Sequence, residues 1–135
     1  MKILVDAYSC PVRNKIENVA RAYGVRVLFY SNTSCRIHQR YGHVVKVDTL
    51  PEAVDEALLR QCAKVDIVVT PDFRLAAKCL DQGAHVIHHE GWMYTPAILL
   101  KKHRQNAPKR KISANRGFEW WFKEFLLLAL MKKIS

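Results

Sequence analysis

The stretch DIVVTPDFRLAAKCLDQGAHVIH, residues 66–88, decides the fold of this chain. It begins with an apolar, β-branched run, continues through Pro71 into a segment of helix length, and returns through Gly83 to a second apolar run. Proline is tolerated at the first position of a helix, and glycine commonly supplies the left-handed residue that ends one. Strands that are apolar on both faces are typical of a parallel sheet covered on both sides, so the stretch predicts two parallel strands joined by a helix.

The same alternation extends to both sides of this stretch. Pro11, Pro51 and Pro96 stand where other helices would begin, and Gly24 stands where the first helix would end. We predict strands over 2–7, 25–31, 43–48, 66–70 and 85–88, and helices over about 11–23, 51–64, 71–82, 96–105 and 117–133. The order predicts an α/β fold, a three-layer α/β/α sandwich with a mostly parallel five-stranded sheet and an additional apolar C-terminal helix.

The composition fits a folded domain. The chain has 135 residues, of which half are apolar and a quarter are charged, and this excludes the collagen-like and disordered classes. We predict an α/β domain over 1–105, and a basic linker and helix over 106–135 that packs on the domain or on a partner, with a homodimer as one possibility. We expect no membrane span, because no apolar run approaches roughly 18–20 residues. Four scattered cysteines without a C-x-x-C pair favour a reduced, cytoplasmic location.

The net charge of +10 is concentrated near the C-terminus. Residues 1–100 carry 12 Lys and Arg against 10 Asp and Glu, whereas residues 101–135 carry 10 against two. This asymmetry favours a polyanionic partner, nucleic acid before an anionic membrane surface. The candidate phosphate contacts are Asn32, Arg36, Lys109, Arg110 and Lys111. A solvated basic tail and ordinary loop chemistry are the alternatives that the pattern leaves open.

Acidic residues fall at the carboxyl ends of three predicted strands. Asp6 ends the first strand, and Asp72 follows the fourth. Glu52 and Asp55 follow the third, and their spacing predicts that both lie on one helix face. Ligands bind beyond this edge of an open parallel sheet, so the carboxylates can meet in one pocket and hold Mg²⁺ or Mn²⁺. Stabilisation of a helix N-terminus is the alternative for Glu52 and Asp72. Asp66 starts its strand instead, and we expect it to satisfy backbone groups there.

Four segments together resemble the YaiI/YqxD family of bacterial proteins, which is assigned by similarity of fold to the PIN-like nucleases. They are VDAYSCPV (5–12), PEAVDEAL (51–58), DIVVTPDFRLAAKCL (66–80) and HHEGWMYT (88–95). The resemblance implies a PIN-like three-layer fold with an acidic, metal-binding pocket. The chain departs from the family pattern at Tyr8, where D-A-D-x-C-P has its second Asp, and at 52–55, where D-A-A-D is E-A-V-D.

The residues and the resemblance together predict a divalent-metal-dependent nuclease with RNA as the expected substrate. Asp6, Asp55 and Asp72, with Glu52 as an alternate, are the predicted metal ligands, and the ion would lower the pKa of a bound water. The alternative is a module that binds nucleic acid or protein without cutting it, because Tyr8 replaces a carboxylate of the family pattern.

Overall fold

The computed structural model describes residues 1–8, 10–33, 36–50, 52–101 and 117–132. Its strands are β1 (Lys2–Asp6), β2 (Arg26–Asn32), β3 (His43–Val47), β4 (Ile67–Val69), β5 (His85–His88) and β6 (Trp92–Met93). Its helices are α1 (Arg13–Ala22), α2 (Ala53–Gln61), α3 (Phe73–Asp81), α4 (Pro96–Lys101) and α5 (Gly117–Leu130). The five predicted strands are confirmed to within one residue, and the predicted end of α4 at 105 lies outside the described residues.

The strands form one sheet in the order β3-β2-β1-β4-β5-β6. The first five strands along the chain pair in parallel, and β6 pairs with β5 in the antiparallel sense. The mixed, mostly parallel α/β fold is therefore confirmed, but the predicted count of five strands is wrong. The missed strand has two residues, too few to show an alternating pattern, and it follows a turn in which Gly91 has φ +96°.

Helices cover both faces of the sheet. On one face, α1 and α5 pack in a core that also contains Ile3 and Val5 of β1. On the other face, α2 and α3 pack in a second core that contains Leu4, the residue between them. This alternation within β1 is what a strand between two helical layers requires.

Helix α5 covers part of the first core. It buries Phe118, Phe122, Phe125 and Leu126, whereas Trp120, Leu128 and Leu130 of the helix and Met131 directly after it remain exposed. None of the helices within the described ranges is both long enough and apolar enough to cross a membrane.

The local signals for helix ends are largely confirmed. Gly24 and Gly83 follow the C-caps of α1 and α3 with φ of +67° and +90°, as predicted. Pro96 is the first residue of α4, whereas Pro11 and Pro71 each precede their helix by two residues. Pro51 lies outside the described residues.

Asp66 joins β1 to the start of β4 at the amino edge of the sheet. Its carboxylate accepts hydrogen bonds from the backbone N–H of Lys2 at 3.1 Å and of Ala63 at 2.9 Å. It also forms an ion pair with Lys2 Nζ at 2.7 Å, and Asp66 is only 3% exposed. The predicted backbone role is confirmed, and the ion pair adds a side-chain link that the sequence pattern did not indicate.

Glu17 anchors segment 40–42 to α1. Its carboxylate accepts hydrogen bonds from the backbone N–H groups of Arg40, Tyr41 and Gly42 at 3.3, 2.7 and 2.7 Å. Burial raises the pKa of Glu17, but the backbone hydrogen bonds from Gly42 and Tyr41 outweigh it, and the pKa lies below its ordinary value. Glu17 therefore stabilises the fold as a carboxylate.

Candidate active site

The sheet has its topological switch point between β1 and β4. From β1 the chain moves outward to β2 and β3, and then returns to the other side of β1 to form β4 and β5. Doubly wound sheets open a crevice at this point, beyond the carboxyl ends of the two strands. Val5 pairs in register with Val69, so the next residues, Asp6 and Thr70, lie side by side at that edge.

A cavity of about 570 Å³ opens there, and we call it the switch-point pocket. Its lining residues come from the ends of three strands and the starts of two helices: Asp6, Tyr8, Asn32, Asp48, Thr49, Leu50, Glu52, Val54, Asp55, Asp72 and Arg74. The structure thus brings together the four predicted metal ligands, together with Asn32. Asp48, Thr49 and Arg74 are additional. Asp48 is the last residue of the predicted third strand. The argument that an acid at the carboxyl end of a strand lies in the pocket, which identified Asp6, therefore applies to Asp48 as well.

Thr70 connects the two strand ends beneath the pocket. It is fully buried, and its hydroxyl donates a hydrogen bond of 3.0 Å to Asp6 Oδ2. The same hydroxyl oxygen accepts a 3.1 Å bond from the backbone N–H of Asp72. The Tyr94 hydroxyl donates to the Thr70 carbonyl at 3.0 Å. Sequence analysis missed this role, although Thr70 lies between two of the acids in the D-x-V-x-T-x-D segment.

The carboxylates of the pocket influence one another. Burial raises the pKa of Asp6, and the charges of Asp55 and Asp72 raise it further, against the lowering effect of the Thr70 hydrogen bond. Burial and the charges of Asp72 and Glu52 likewise raise the pKa of Asp55, while Lys78 and Arg74 oppose the shift. Like charges this close favour protonation or the binding of a cation.

The start of α2 places its two acids differently from the prediction. Glu52 is the N-cap residue with φ +66°, so it lies in the left-handed region and precedes the helix. Asp55 lies in the first turn and is partly buried. The prediction that both occupy one helix face is therefore wrong, because the chain turns at Glu52, although both residues line the pocket.

Asp72 both caps the N-terminus of α3 and lines the pocket. It is the N-cap of α3, and its Oδ1 accepts a 2.9 Å hydrogen bond from the backbone N–H of Arg74. This is the helix-stabilising alternative considered from the sequence, and it engages one of the two carboxylate oxygens. The exposed Arg74 side chain adds a positive charge to the pocket.

The pocket has one exposed aromatic residue and part of the predicted nucleic-acid surface. Tyr8 is 66% exposed and lines the pocket at the position where the family pattern has a carboxylate. Asn32 lines the pocket, whereas Arg36 is exposed on the following loop and lies outside the lining. Lys109, Arg110 and Lys111 lie outside the described residues.

The donor atoms fit a hard divalent cation by their chemistry. Asp6, Asp48, Glu52, Asp55 and Asp72 offer carboxylate oxygens, which Mg²⁺ and Mn²⁺ prefer. Within the residues that the structure describes, no three His, Cys, Asp or Glu side chains are grouped as a metal site. Mg²⁺ usually keeps several waters and is held by one or two carboxylates, so direct ligation by three side chains is not a requirement.

The fold and the pocket define a doubly wound α/β protein with an acidic cleft at the switch point of its sheet. The chain belongs to the YaiI/YqxD family, because the family model described as "Uncharacterized BCR, YaiI/YqxD family" matches residues 4–116.

Individual relatives agree with this assignment. A "UPF0178 protein" of Natranaerobius thermophilus is 36% identical over an alignment of 142 positions, gaps included, that covers 94% of this chain and 97% of the relative. A "UPF0178 protein" of Alkaliphilus oremlandii is 37% identical over 115 residues, which cover 82% of this chain and 74% of the relative. No solved structure matches the chain significantly.

Proposed function

We propose that the protein is a divalent-cation-dependent nuclease that hydrolyses RNA at the switch-point pocket. The observation that carries the proposal is the convergence of Asp6, Asp55 and Asp72 from three elements. They are close enough for charge repulsion to add to burial in raising the pKa of Asp6 and of Asp55. A pocket of this kind binds a cation with a gain in stability, because the cation relieves the repulsion.

The side chains of the pocket have distinct roles in this proposal. Asp6, Asp55 and Asp72, with Glu52 as an alternate, would hold Mg²⁺ or Mn²⁺ directly or through the waters that the ion keeps. The bound ion supplies a water of lowered pKa and offsets negative charge on the phosphoryl group. Arg74 attracts the phosphate of the substrate by charge, and the buried Thr70 hydroxyl fixes the orientation of Asp6.

The test compares matched carboxylate-to-amide variants on end-labelled single-stranded RNA with MnCl₂. We expect Asp6→Asn with Asp72→Asn to abolish cleavage, and we expect EDTA to abolish cleavage by the wild type. Asp81→Asn is the control, because Asp81 is an exposed acid at the far end of α3, outside the pocket. Equal cleavage rates in the wild type and the double variant would overturn the proposal and indicate a contaminating nuclease.

A second candidate, an RNA-binding module without cleavage, is favoured by Tyr8. This residue is 66% exposed in the pocket where the family pattern has an acid. If Tyr8 limits ion binding, Tyr8→Asp should tighten the binding of Mn²⁺ measured by calorimetry and increase cleavage, since ligand charge largely sets affinity at oxygen sites. RNA retention by the wild type without Mn²⁺ binding or cleavage would favour the binding module.

The basic C-terminal quarter, residues 101–135, is the proposed binding region for the phosphate backbone of RNA. If Lys109, Arg110 and Lys111 each contact a phosphate, changing all three to Ala should reduce the log–log salt slope of RNA binding by about 2, since each contact contributes about 0.7. An unchanged slope would show that these residues are a solvated tail. Asn32 and Arg36 are proposed contacts nearer the pocket, to be tested by the same salt titration.

Two further predictions of the sequence accompany the proposal. A homodimer through α5 is supported by the exposed apolar residues Leu128, Leu130 and Met131. Light scattering over a range of concentrations tests it, and a monomer at all of them would contradict it. A cytoplasmic location also stays a prediction, consistent with the free thiols of Cys10, Cys62 and Cys79.

A further inference from the structure

Two adjoining cavities form a groove along α1, on the face of the sheet that α1 and α5 cover. The first, of about 440 Å³, lies between α1 and segment 38–40, and we call it the basic cavity. The second, of about 540 Å³, lies between α1 and the start of α5, and we call it the aromatic cavity. Asn18 lines both cavities. A ligand that occupies both therefore has to pass only one side chain of α1.

One wall of the basic cavity is fixed by hydrogen bonds to α1. Gln39 Oε1 accepts a bond of 3.2 Å from Arg13 Nε, and Gln39 Nε2 donates to Asn14 Oδ1 at 3.5 Å. The buried carboxylate of Glu17 accepts the backbone N–H groups of segment 40–42. Because these contacts hold the wall in place, a ligand that enters the cavity has little chain to order, which favours binding.

The basic cavity presents two arginines to a ligand. Arg21 and Arg40 line it, both are exposed, and neither takes part in an ion pair with the residues that the structure describes. The Glu17 carboxylate also lines the cavity, but it is directed at backbone N–H donors. A guanidinium group binds a phosphate through two parallel N–H bonds. The basic cavity is therefore suited to a phosphate group.

The aromatic cavity has a different chemical character. Trp120 lines it from α5 and Tyr23 from the end of α1, and Trp120 is 40% exposed. Nucleic-acid bases stack on aromatic side chains of this kind with little dependence on sequence. The charged residues of the lining, Glu119 and Lys123, are of opposite sign, and the Asn18 amide can donate and accept hydrogen bonds. The aromatic cavity therefore suits an uncharged, planar base.

We propose that the groove binds a nucleotide, with the phosphate on Arg21 and Arg40 and the base against Trp120. The nucleotide can be free or part of a single strand, since both carry the same phosphate and base. None of the described lining residues of either cavity also lines the switch-point pocket. The site is therefore separate from the proposed nuclease centre and needs no metal ion.

The test is an NMR titration of the isotope-labelled full chain, in EDTA, with inorganic phosphate, adenosine, AMP or a short oligoadenylate. We expect phosphate to shift the side-chain N–H signals of Arg21 and Arg40, adenosine to shift the indole N–H signal of Trp120, and AMP to shift both sets. Because EDTA removes divalent cations, failure of this binding would leave the proposed metal-dependent cleavage unaffected, and the two proposals can fail separately.

Arginine variants test the phosphate contact. Arg21→Ala with Arg40→Ala should weaken AMP binding by about tenfold or more, because a hydrogen bond to a charged group is lost. If the strand is the ligand, oligoadenylate should bind more tightly than AMP, and the same variant should lower its log–log salt slope by up to about 1.4. If oligoadenylate binds no more tightly, the ligand is the free nucleotide. Arg26→Ala with Arg60→Ala is the control, because it removes the same charge from exposed positions outside both cavities.

Trp120 variants test the contact with the base. Trp120→Leu should weaken AMP binding by about fivefold or more, whereas Trp120→Phe keeps an aromatic face and should bind nearly as the wild type does. Binding of inorganic phosphate should be the same in all three proteins, which a variant that fails to fold would not show.

Three results would overturn the proposal. The first is AMP that binds no more tightly than inorganic phosphate. The second is AMP affinity that is unchanged when Arg21 and Arg40 are both alanine. The third is a Trp120→Leu variant that changes the association state in light scattering and leaves AMP affinity unchanged, since Trp120 would then contact a second copy of the chain.

Discussion

Replacing Thr70 with valine tests the connection between the two central strands of the pocket. Valine keeps the size and branching of the side chain but removes the hydroxyl, which is the donor to Asp6 Oδ2 and the acceptor of the Asp72 N–H. Because Thr70 is fully buried, the Asp72 N–H loses its partner where water has little access. A buried unsatisfied donor costs about 1–3 kcal/mol, so we expect the free energy of unfolding to fall by about 2 kcal/mol. The corresponding decrease in Tm is about 5–10 °C.

The same substitution has a second, electrostatic consequence. The Thr70 hydrogen bond lowers the pKa of Asp6, so its loss should raise that pKa further, as measured by NMR titration of the side-chain carboxyl carbon. Thr70→Ser is the matched control, because it keeps the hydroxyl and loses only a buried methyl group, at a cost of about 1 kcal/mol. If Thr70→Val is as stable as the wild type, or if the pKa of Asp6 falls, the hydroxyl does not connect the two strand ends.

Three further predictions concern buried or clustered carboxylates. Glu17→Gln should lower the free energy of unfolding, measured by urea denaturation, by about 2 kcal/mol. The reason is that the amide N–H₂ group of Gln would face backbone N–H donors of segment 40–42, where the carboxylate accepts hydrogen bonds. Since the pKa of Glu17 is lowered in the folded state, the wild type should lose this stability as pH falls below 4.5, whereas Glu17→Gln should not. Asp66→Ala should lower the free energy of unfolding by about 3–5 kcal/mol, because Lys2 and two backbone N–H groups lose their acceptor. A smaller loss of stability in Asp66→Ala than in Asp66→Asn would contradict this prediction. The pKa of Asp6 is raised in the folded protein, so the protonated carboxyl stabilises the fold below pH 3.8, and this contribution is lost as pH rises. Asp6→Asn should therefore have a higher Tm than the wild type at pH 7, and the difference should disappear in acid.

The strands and helices could be predicted because their signals are local. Each of the five longer strands is a short apolar run, and the residues that follow the C-caps of α1 and α3 are glycines with positive φ. Strand β6 could not be predicted in this way. It consists of Trp92 and Met93, and only pairing with β5 after the turn at Gly91 makes it a strand.

The candidate site was predictable in outline but not in geometry. Asp6, Asp55 and Asp72 could be predicted to share one pocket because each lies at or beyond the carboxyl end of a parallel strand. That argument depends only on chain direction and strand order. The left-handed backbone at Glu52 has no signal in the sequence, since the residue is neither glycine nor asparagine. The role of Thr70 depends on the register between β1 and β4, which is a tertiary property.

The two outer strands of the sheet also bear on how copies of the protein can associate. An unpaired strand edge is a template for another chain, and long, flat, apolar edges lead to aggregation. Here one edge, β6, has only two residues and runs against its neighbour, and the other edge, β3, exposes His43 and Lys46. Continuous growth of the sheet from one molecule into the next is thereby disfavoured. Self-association of this protein should therefore involve its helical faces and leave the β-sheet content unchanged, which infrared spectra at low and high concentration can measure.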